Sequence, residues 1–339
     1  FNPIMPCIGS AVLNVNGPVL SGSGGLHVSV ALRYHSVNDV TMSGDFFGVS
    51  ETQENSKWAL SVDAFLQRNW DNNDLVFYRG GEYERSMRYE DGIWYDEVHC
   101  ATADLIWSSG KAYYRLWMPS GARIRYASDT GRIDRHISSF GTRVDYVYDT
   151  KEDRGLLVEI KMPSIDGRSV QFQYDEAKPT RLISIVYPDS GVLSLEYDSV
   201  SGVLDGVFLY RGVRLWDNDF EYAYGLMDKV YSYDMSSQPP TRHLIADYEH
   251  QYDQEEEEWV VTGMKKAGDS AYLQEVQNEI EDASPGSFRR IRPDGSIYEV
   301  KITADGEDQV TRRRFYDAQE TPVGPVSYQR QEPVYHTIQ

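Results

Sequence analysis

Two sets of side chains in this sequence have the types and spacing to do chemistry: carboxylates, and tryptophans set among polar residues. Asp71-Asn72-Asn73-Asp74 and Asp217-Asn218-Asp219 gather oxygen ligands of the kind calcium takes. Neither continues into the glycine and glutamate that complete an EF-hand loop, and Asp and Asn are ordinary turn formers, so both read as turns and calcium as the lesser alternative. Glycoside hydrolysis needs two carboxylates about 5–9 Å apart. With 53 Asp and Glu residues, such pairs arise everywhere and none stands out. His-Glu-x-x-His, the phosphate-binding loop and the dinucleotide glycine pattern are all absent from the sequence. Ser21-Gly22-Ser23-Gly24-Gly25 lacks the spacing of a nucleophile elbow and reads as a turn between strands at 12–20 and 26–34. The seven histidines are scattered; a metal pair at His27 and His35 is conceivable, and a packing role is commoner. The reading is therefore a non-enzyme without a cofactor. Trp70, Trp94, Trp107, Trp117 and Trp216 remain: such rings stack on sugars when exposed, or pack within a sheet.

Charge narrows the partners. The net charge is −20, which argues against nucleic acid, whose phosphates need clustered Lys and Arg. A solvated acidic face is the plain explanation, with calcium or a cationic partner as alternatives. No apolar run approaches the roughly 20 residues a membrane helix needs. The first residue is Phe1, which suggests a processed piece whose lost start carried a signal peptide. The only cysteines, Cys7 and Cys100, can pair in an extracellular protein or stay apart; without a Cys-x-x-Cys they support neither redox nor zinc chemistry.

The elements that must position these groups are strands. Aromatics make up 13% of the chain, 25 of them tyrosines, and aromatic and β-branched residues suit half-buried pleated surfaces. Tyr-Asp pairs recur at Tyr148-Asp149, Tyr174-Asp175, Tyr197-Asp198, Tyr233-Asp234, Tyr252-Asp253 and Tyr316-Asp317, with Tyr126-Ala127 as a degenerate copy. Between them lie turn signals such as Pro119-Ser120-Gly121 and Pro188-Asp189-Ser190-Gly191, then strand starts such as Gly131-Arg132-Ile133 and Thr180-Arg181-Leu182. Two strands and two turns fill a period of about 20–22 residues, so each repeat reads as one hairpin. Val144, Tyr146 and Tyr148 fall on one face of a strand, as do Val170, Phe172 and Tyr174, and Leu193, Leu195 and Tyr197. The motif tyrosine ends each apolar face, and the aspartate carboxylate is placed to accept turn N–H groups.

Tyr-Asp, then Gly-Arg-Leu-like, then Tyr-Pro-Asp-Gly-like segments resemble the RHS/YD-repeat family, and Thr180 to Asp198, TRLISIVYPDSGVLSLEYD, is similar to one such repeat. Leu13 to Ser36 is similar to the family's entry strands. The resemblance covers about residues 10–320, closest over 118–205. It implies an all-β fold of antiparallel hairpins forming a curved or spiralling sheet with at most one or two short helices. In bacterial toxin systems and teneurins, such spirals close into hollow shells. It implies a secreted or cell-surface structural protein acting as a shell, fibre or spacer, self-associating through sheet edges or joined to further chain. A module binding glycans or a cell-surface partner is the alternative. The Asp-Pro-x-Gly-like cleavage signature of toxin-type members is absent, and only eight or nine repeat-like units fit, fewer than closed shells use. The expected organisation is entry strands over 1–57, divergent then regular repeats over 58–205, and irregular repeats over 206–317 with a helix within 269–283. An extended tail or linker over 318–339 follows.

Overall fold

The computed structural model describes residues 4–5, 10–21, 27–36, 57–79, 82–96, 100–149, 155–163, 167–178, 180–253, 258–266, 273–278, 287–291, 297–305, 308–317, 319 and 321–331. All its named elements are strands, and the protein is all-β. They form two compact units, one of residues 13–219 and 233–240, the other of residues 1–12, 220–232 and 241–339.

In the first unit, His27–His35 pairs antiparallel with Trp58–Leu60 in a small sheet that also holds Ser10–Ser21. A long meander begins at Ala64–Arg68 and runs through Leu75–Arg79, Glu82–Glu90, Ile93–Asp96, Ala101–Ser108, Lys111–Trp117, Arg123–Ala127 and Ile133–Ile137. It continues through Arg143–Tyr148, Leu157–Met162, Arg168–Tyr174, Leu182–Val186, Val192–Tyr197 and Leu204–Arg211 into Val213–Ala223. Each strand pairs antiparallel with the next. The alternation in the sequence dictates which face is covered. Val170 and Phe172 are buried, as are Leu193 and Leu195, while Gln171, Gln173 and Glu196 between and beside them are exposed. Leu75, Phe77, Met87, Trp94, Tyr114 and Tyr126 build a core on the inner face. Each such side chain stabilises the fold by about 1.5–3 kcal/mol relative to exposure. The outer face carries cross-strand ion pairs, Arg115 with Asp104 directly opposite and Arg135 with Asp145 directly opposite.

The meander rolls on itself. Phe65, in its first strand, bridges to Arg132, just before its eighth, and the Leu66 N–H donates to the Gly131 carbonyl at 2.7 Å. Gly131 has φ +70, and a Cβ there would sit 2.1 Å from the Leu66 carbonyl oxygen. Only glycine allows the two segments to approach this closely. The sheet continues past this contact into Arg143–Tyr148, so it curls without closing into a barrel.

In the second unit, Thr241–Asp253, Glu258–Lys266, Leu273–Asn278, Ser287–Ile291, Ile297–Asp305, Asp308–Tyr316 and Pro322–Gln331 pair in sequence, all antiparallel. The helix expected within 269–283 gives way to a strand at Leu273–Asn278; residues 269–272 and 279–283 lie outside the described residues. Tyr272, Leu273, Val276 and Ile280 have helical spacing, but helix propensity differs by only tenths of a kcal/mol per residue. Backbone pairing on both sides, Met264↔Leu273 and Val276↔Arg289, outweighs it. In the tail, Pro322–Gln331 pairs with Asp308–Tyr316 of its own chain, and residues 332–339 lie outside the described residues.

Candidate functional site

The Tyr-Asp pairs form a recurring clasp at the strand ends. In four successive repeats the motif tyrosine sits at a register shift and pairs with the first residue of the next strand or its neighbour: Tyr126↔Ile133, Tyr148↔Leu157, Tyr174↔Leu182 and Tyr197↔Leu204. The next residue then donates its backbone N–H across the turn. Ala127 donates to Arg132 O at 2.9 Å, Asp149 to Leu156 O at 2.8 Å, Asp175 to Arg181 O at 2.9 Å and Asp198 to Val203 O at 2.8 Å. The bulge turns the tyrosine ring back along the sheet. The Tyr174 hydroxyl donates to Leu157 O at 2.8 Å and the Tyr197 hydroxyl to Leu182 O at 2.6 Å, each reaching the start of its own hairpin. The hydroxyl therefore closes its own repeat, and the backbone N–H after it joins that repeat to the next.

The aspartates hold the turns. Asp175 Oδ1 accepts from Ala177 N at 2.8 Å, Asp234 Oδ1 from Ser236 N at 2.9 Å, and Asp317 Oδ1 from Gln319 N at 3.0 Å and Thr321 N at 2.8 Å. Asp198 Oδ1 accepts from Ser201 N at 2.6 Å and Val200 N at 3.0 Å, and from the Ser201 hydroxyl at 2.8 Å. The Ser201 backbone N–H, above all, holds the Asp198 carboxyl below its ordinary range. Tyr233 departs from the pattern, donating to Asp219 Oδ2 at 2.6 Å. Tyr316 lies beside the Arg314 guanidinium. For Asp253 only the backbone position is described, opposite Glu258.

Where the meander rolls on itself, a buried ion pair joins the edges. Arg132 Nη1 lies 2.7 Å from Asp63 Oδ1, and the Asp63 side chain is 1% exposed. The Arg132 guanidinium also lies 5.8 Å from the centre of the Tyr148 ring. Burial, with Asp63 adding to it, pushes the Tyr148 and Tyr174 phenols well above their ordinary range, so both remain protonated.

The candidate tryptophans divide. Trp70 and Trp107 are exposed, at 77% and 74%. Trp117 is half-buried with Arg115 and Arg123 over its ring, and Trp216 is half-buried. Trp94 is not a surface ring: it is buried, its indole N–H donating to Asn73 O at 2.7 Å. The turn at 71–74 bonds to itself and its neighbour, with Asp74 N donating to Asn72 Oδ1 and Tyr89 N to Asp74 Oδ1, each at 3.0 Å. Asp217-Asn218-Asp219, expected to be a turn, lies within the Val213–Ala223 strand, because each residue pairs with the Leu204–Arg211 strand. Among the described residues no three His, Cys, Asp or Glu side chains are grouped to hold a metal. His27 and His35 stand eight residues apart on one strand, about 26 Å at the strand rise, too far to share an ion. Cys100 sits in an exposed turn, and Cys7 lies outside the described residues, as does its pairing.

Sequence reasoning missed an aromatic cluster at the surface. Tyr224 stacks on Trp259 with ring centres 3.8 Å apart and planes 9° from parallel. Tyr252, directly opposite Trp259 in register, meets it at 66°. Tyr224 and Tyr252 are 59% and 45% exposed. Tyr224 and Gly225 form a two-residue loop in which both have positive φ, 56° and 76°. Such loops favour Asn, Asp or Gly first, and holding a bulky ring there costs about 1–3 kcal/mol. The signal was in the sequence: Tyr224-Gly225 stands between two alternating runs where Asn-Gly is the norm.

No family model and no curated protein matches the chain. Among solved structures, the crystal structure of TcdB2-TccC3-Cdc42 is similar over 94% of this chain and 18% of its own, at 12% identity and TM-score 0.33. That of TcdB2-TccC3 is similar over 75% of this chain and 18% of its own, at 12% identity and TM-score 0.29. The N-terminal domain of the effector protein SpvB from Salmonella typhimurium strain LT2 is similar over 75% of this chain and 97% of its own, at 12% identity and TM-score 0.27. This chain thus spans less than a fifth of the length of the first two.

Proposed function

We propose that this chain is a non-catalytic structural protein of the RHS/YD-repeat type, a curved β wall that serves as a shell, fibre or spacer outside the cell or at its surface. One observation carries the reading: successive repeats apply the same tyrosine hydroxyl to the first strand of their own hairpin and the backbone N–H after it to the next repeat. A motif whose tyrosine and aspartate side chains are engaged in this way builds a wall. Unpaired strands at the edges of such a sheet offer backbone donors and acceptors to a neighbouring copy, and edge pairing is the route to assembly. Light scattering and negative-stain microscopy of the purified chain test this. Curved sheets, rods or rings heavier than the monomer are expected; compact monomers at every concentration overturn assembly by this chain.

The exposure of Trp70 and Trp107 favours a second reading, a surface that binds glycans or a cell-surface partner. A glycan array probed with the chain and with a Trp70→Ala/Trp107→Ala variant is expected to show binding lost in the variant. Equal signals from the two proteins overturn it.

A further inference from the structure

We propose that the exposed rings of Tyr224 and Tyr252, with the half-buried Trp259 between them, form a docking site for the guanidinium group of an arginine-bearing segment of a partner protein. The inference goes beyond the structural reading above and does not depend on it.

Two residues depart from local rules, and both meet Trp259. Tyr224 holds a bulky ring where the turn favours Asn, Asp or Gly; the same kind of loop elsewhere in the chain uses Asp91-Gly92 and Ser109-Gly110. Tyr252 occupies the motif position at which Tyr174 and Tyr197 turn back to bond a carbonyl, yet its ring stays in solvent. Trp259 lies against both. Behind them, His250 Nε2 stands 2.9 Å from Met227 O, and the His250 ring meets Tyr224 edge-on with centres 6.0 Å apart. The stack presents a flat, open ring face on a fixed base.

The chain itself shows what such faces take. Arg68 stands over Trp70, Arg115 and Arg123 over Trp117, Arg181 over Tyr197, and Arg242 over Tyr231. Among the described residues no arginine stands over Tyr224, Tyr252 or Trp259. The electrostatics favour a cation. Register places Asp253 directly opposite Glu258, next to the Tyr252↔Trp259 pair. The sequence there is strongly acidic, in a chain of net charge −20, so a cation is drawn in and phosphates or sulfated sugars are kept out. A guanidinium is planar, weakly hydrated and always charged, and lies flat on an aromatic face as a compact ammonium does not.

Calorimetric titration of the full chain with an alternating Arg-Gly hexapeptide tests the proposal. The controls are the same peptide with citrulline for arginine, and tetramethylammonium. The variant is Tyr224→Asn, which suits the turn backbone while removing the ring. The arginine peptide is expected to bind, more weakly as salt is raised, and about tenfold more weakly to Tyr224→Asn, whose melting temperature stays close to that of the parent. A Trp70→Ala/Trp107→Ala variant is expected to bind like the parent. Four results overturn the assignment: no binding, undiminished binding to Tyr224→Asn, equal binding of the citrulline peptide, or tighter binding of tetramethylammonium than of the arginine peptide.

Discussion

The regular repeats over 118–205 and the hairpins formed by Phe220–Ser232 and Thr241–Lys266 apply the same residue types to opposite ends. In the first region tyrosines turn back on the sheet: Tyr174 and Tyr197 bond backbone carbonyls, and Tyr148 is set beside the buried Arg132–Asp63 pair. In the second, Tyr224 and Tyr252 face solvent around Trp259. In the first, positive φ falls on glycines such as Gly131 and Gly202 and on the small Ser190; in the second it falls on the bulky Tyr224 beside Gly225. The difference separates side chains that hold a wall together from side chains held out by one. A buried hydroxyl bonded to a carbonyl contributes to stability, whereas an exposed ring in a strained turn contributes little and needs another reason to be there.

That contrast can be broken at several points. The largest effect is expected at the rolled edge: Asp63→Ala leaves Arg132 buried without its carboxylate and should destabilise the first unit by about 3–5 kcal/mol, read as a lowered urea midpoint. The next is pH. Burial first, then Arg79, draws the His136 imidazole down from 6.5 to about 4. Burial and Arg33 draw His35 to about 4 as well. Both are neutral when folded, and the unfolded chain takes up their protons first, so stability falls as pH drops from about 6.5 to about 4. Each histidine contributes about 1–3 kcal/mol to that loss. His136→Gln should make the melting temperature less dependent on pH across this window; an unchanged dependence contradicts the assignment. The smallest effect is expected at the exposed stack. Tyr252→Phe should change stability by less than about 0.5 kcal/mol by chemical denaturation, since Tyr252 is an exposed side chain and the substitution keeps its ring against Trp259.

What the sequence made legible was local. Strand faces at Val170, Phe172 and Tyr174 follow from a side-chain period of two, and carboxylate turns at Asp175 and Asp198 close within three residues. Partners distant in sequence left no such trace. Asp63 and Arg132 are 69 residues apart, and the Trp94 indole finds its carbonyl 21 residues away. Where local preference competed with pairing, pairing won. Leu273–Asn278 has the spacing of a helix and is a strand; Asp217-Asn218-Asp219 has the composition of a turn and lies mid-strand. The Tyr224 stack belongs with the distant partners. Tyr224 and Trp259 meet across 35 residues, and Tyr252 looks in the sequence like any other motif tyrosine.

The central claim is that the motif hydroxyls close each repeat onto the first strand of its own hairpin. It is tested most directly by removing only those oxygens. Urea denaturation of Tyr174→Phe/Tyr197→Phe should show a loss of about 2 kcal/mol, about 1 for each hydrogen bond removed, while Tyr252→Phe stays at the parent value. Equal losses in the two proteins, or none in the double variant, contradict the account.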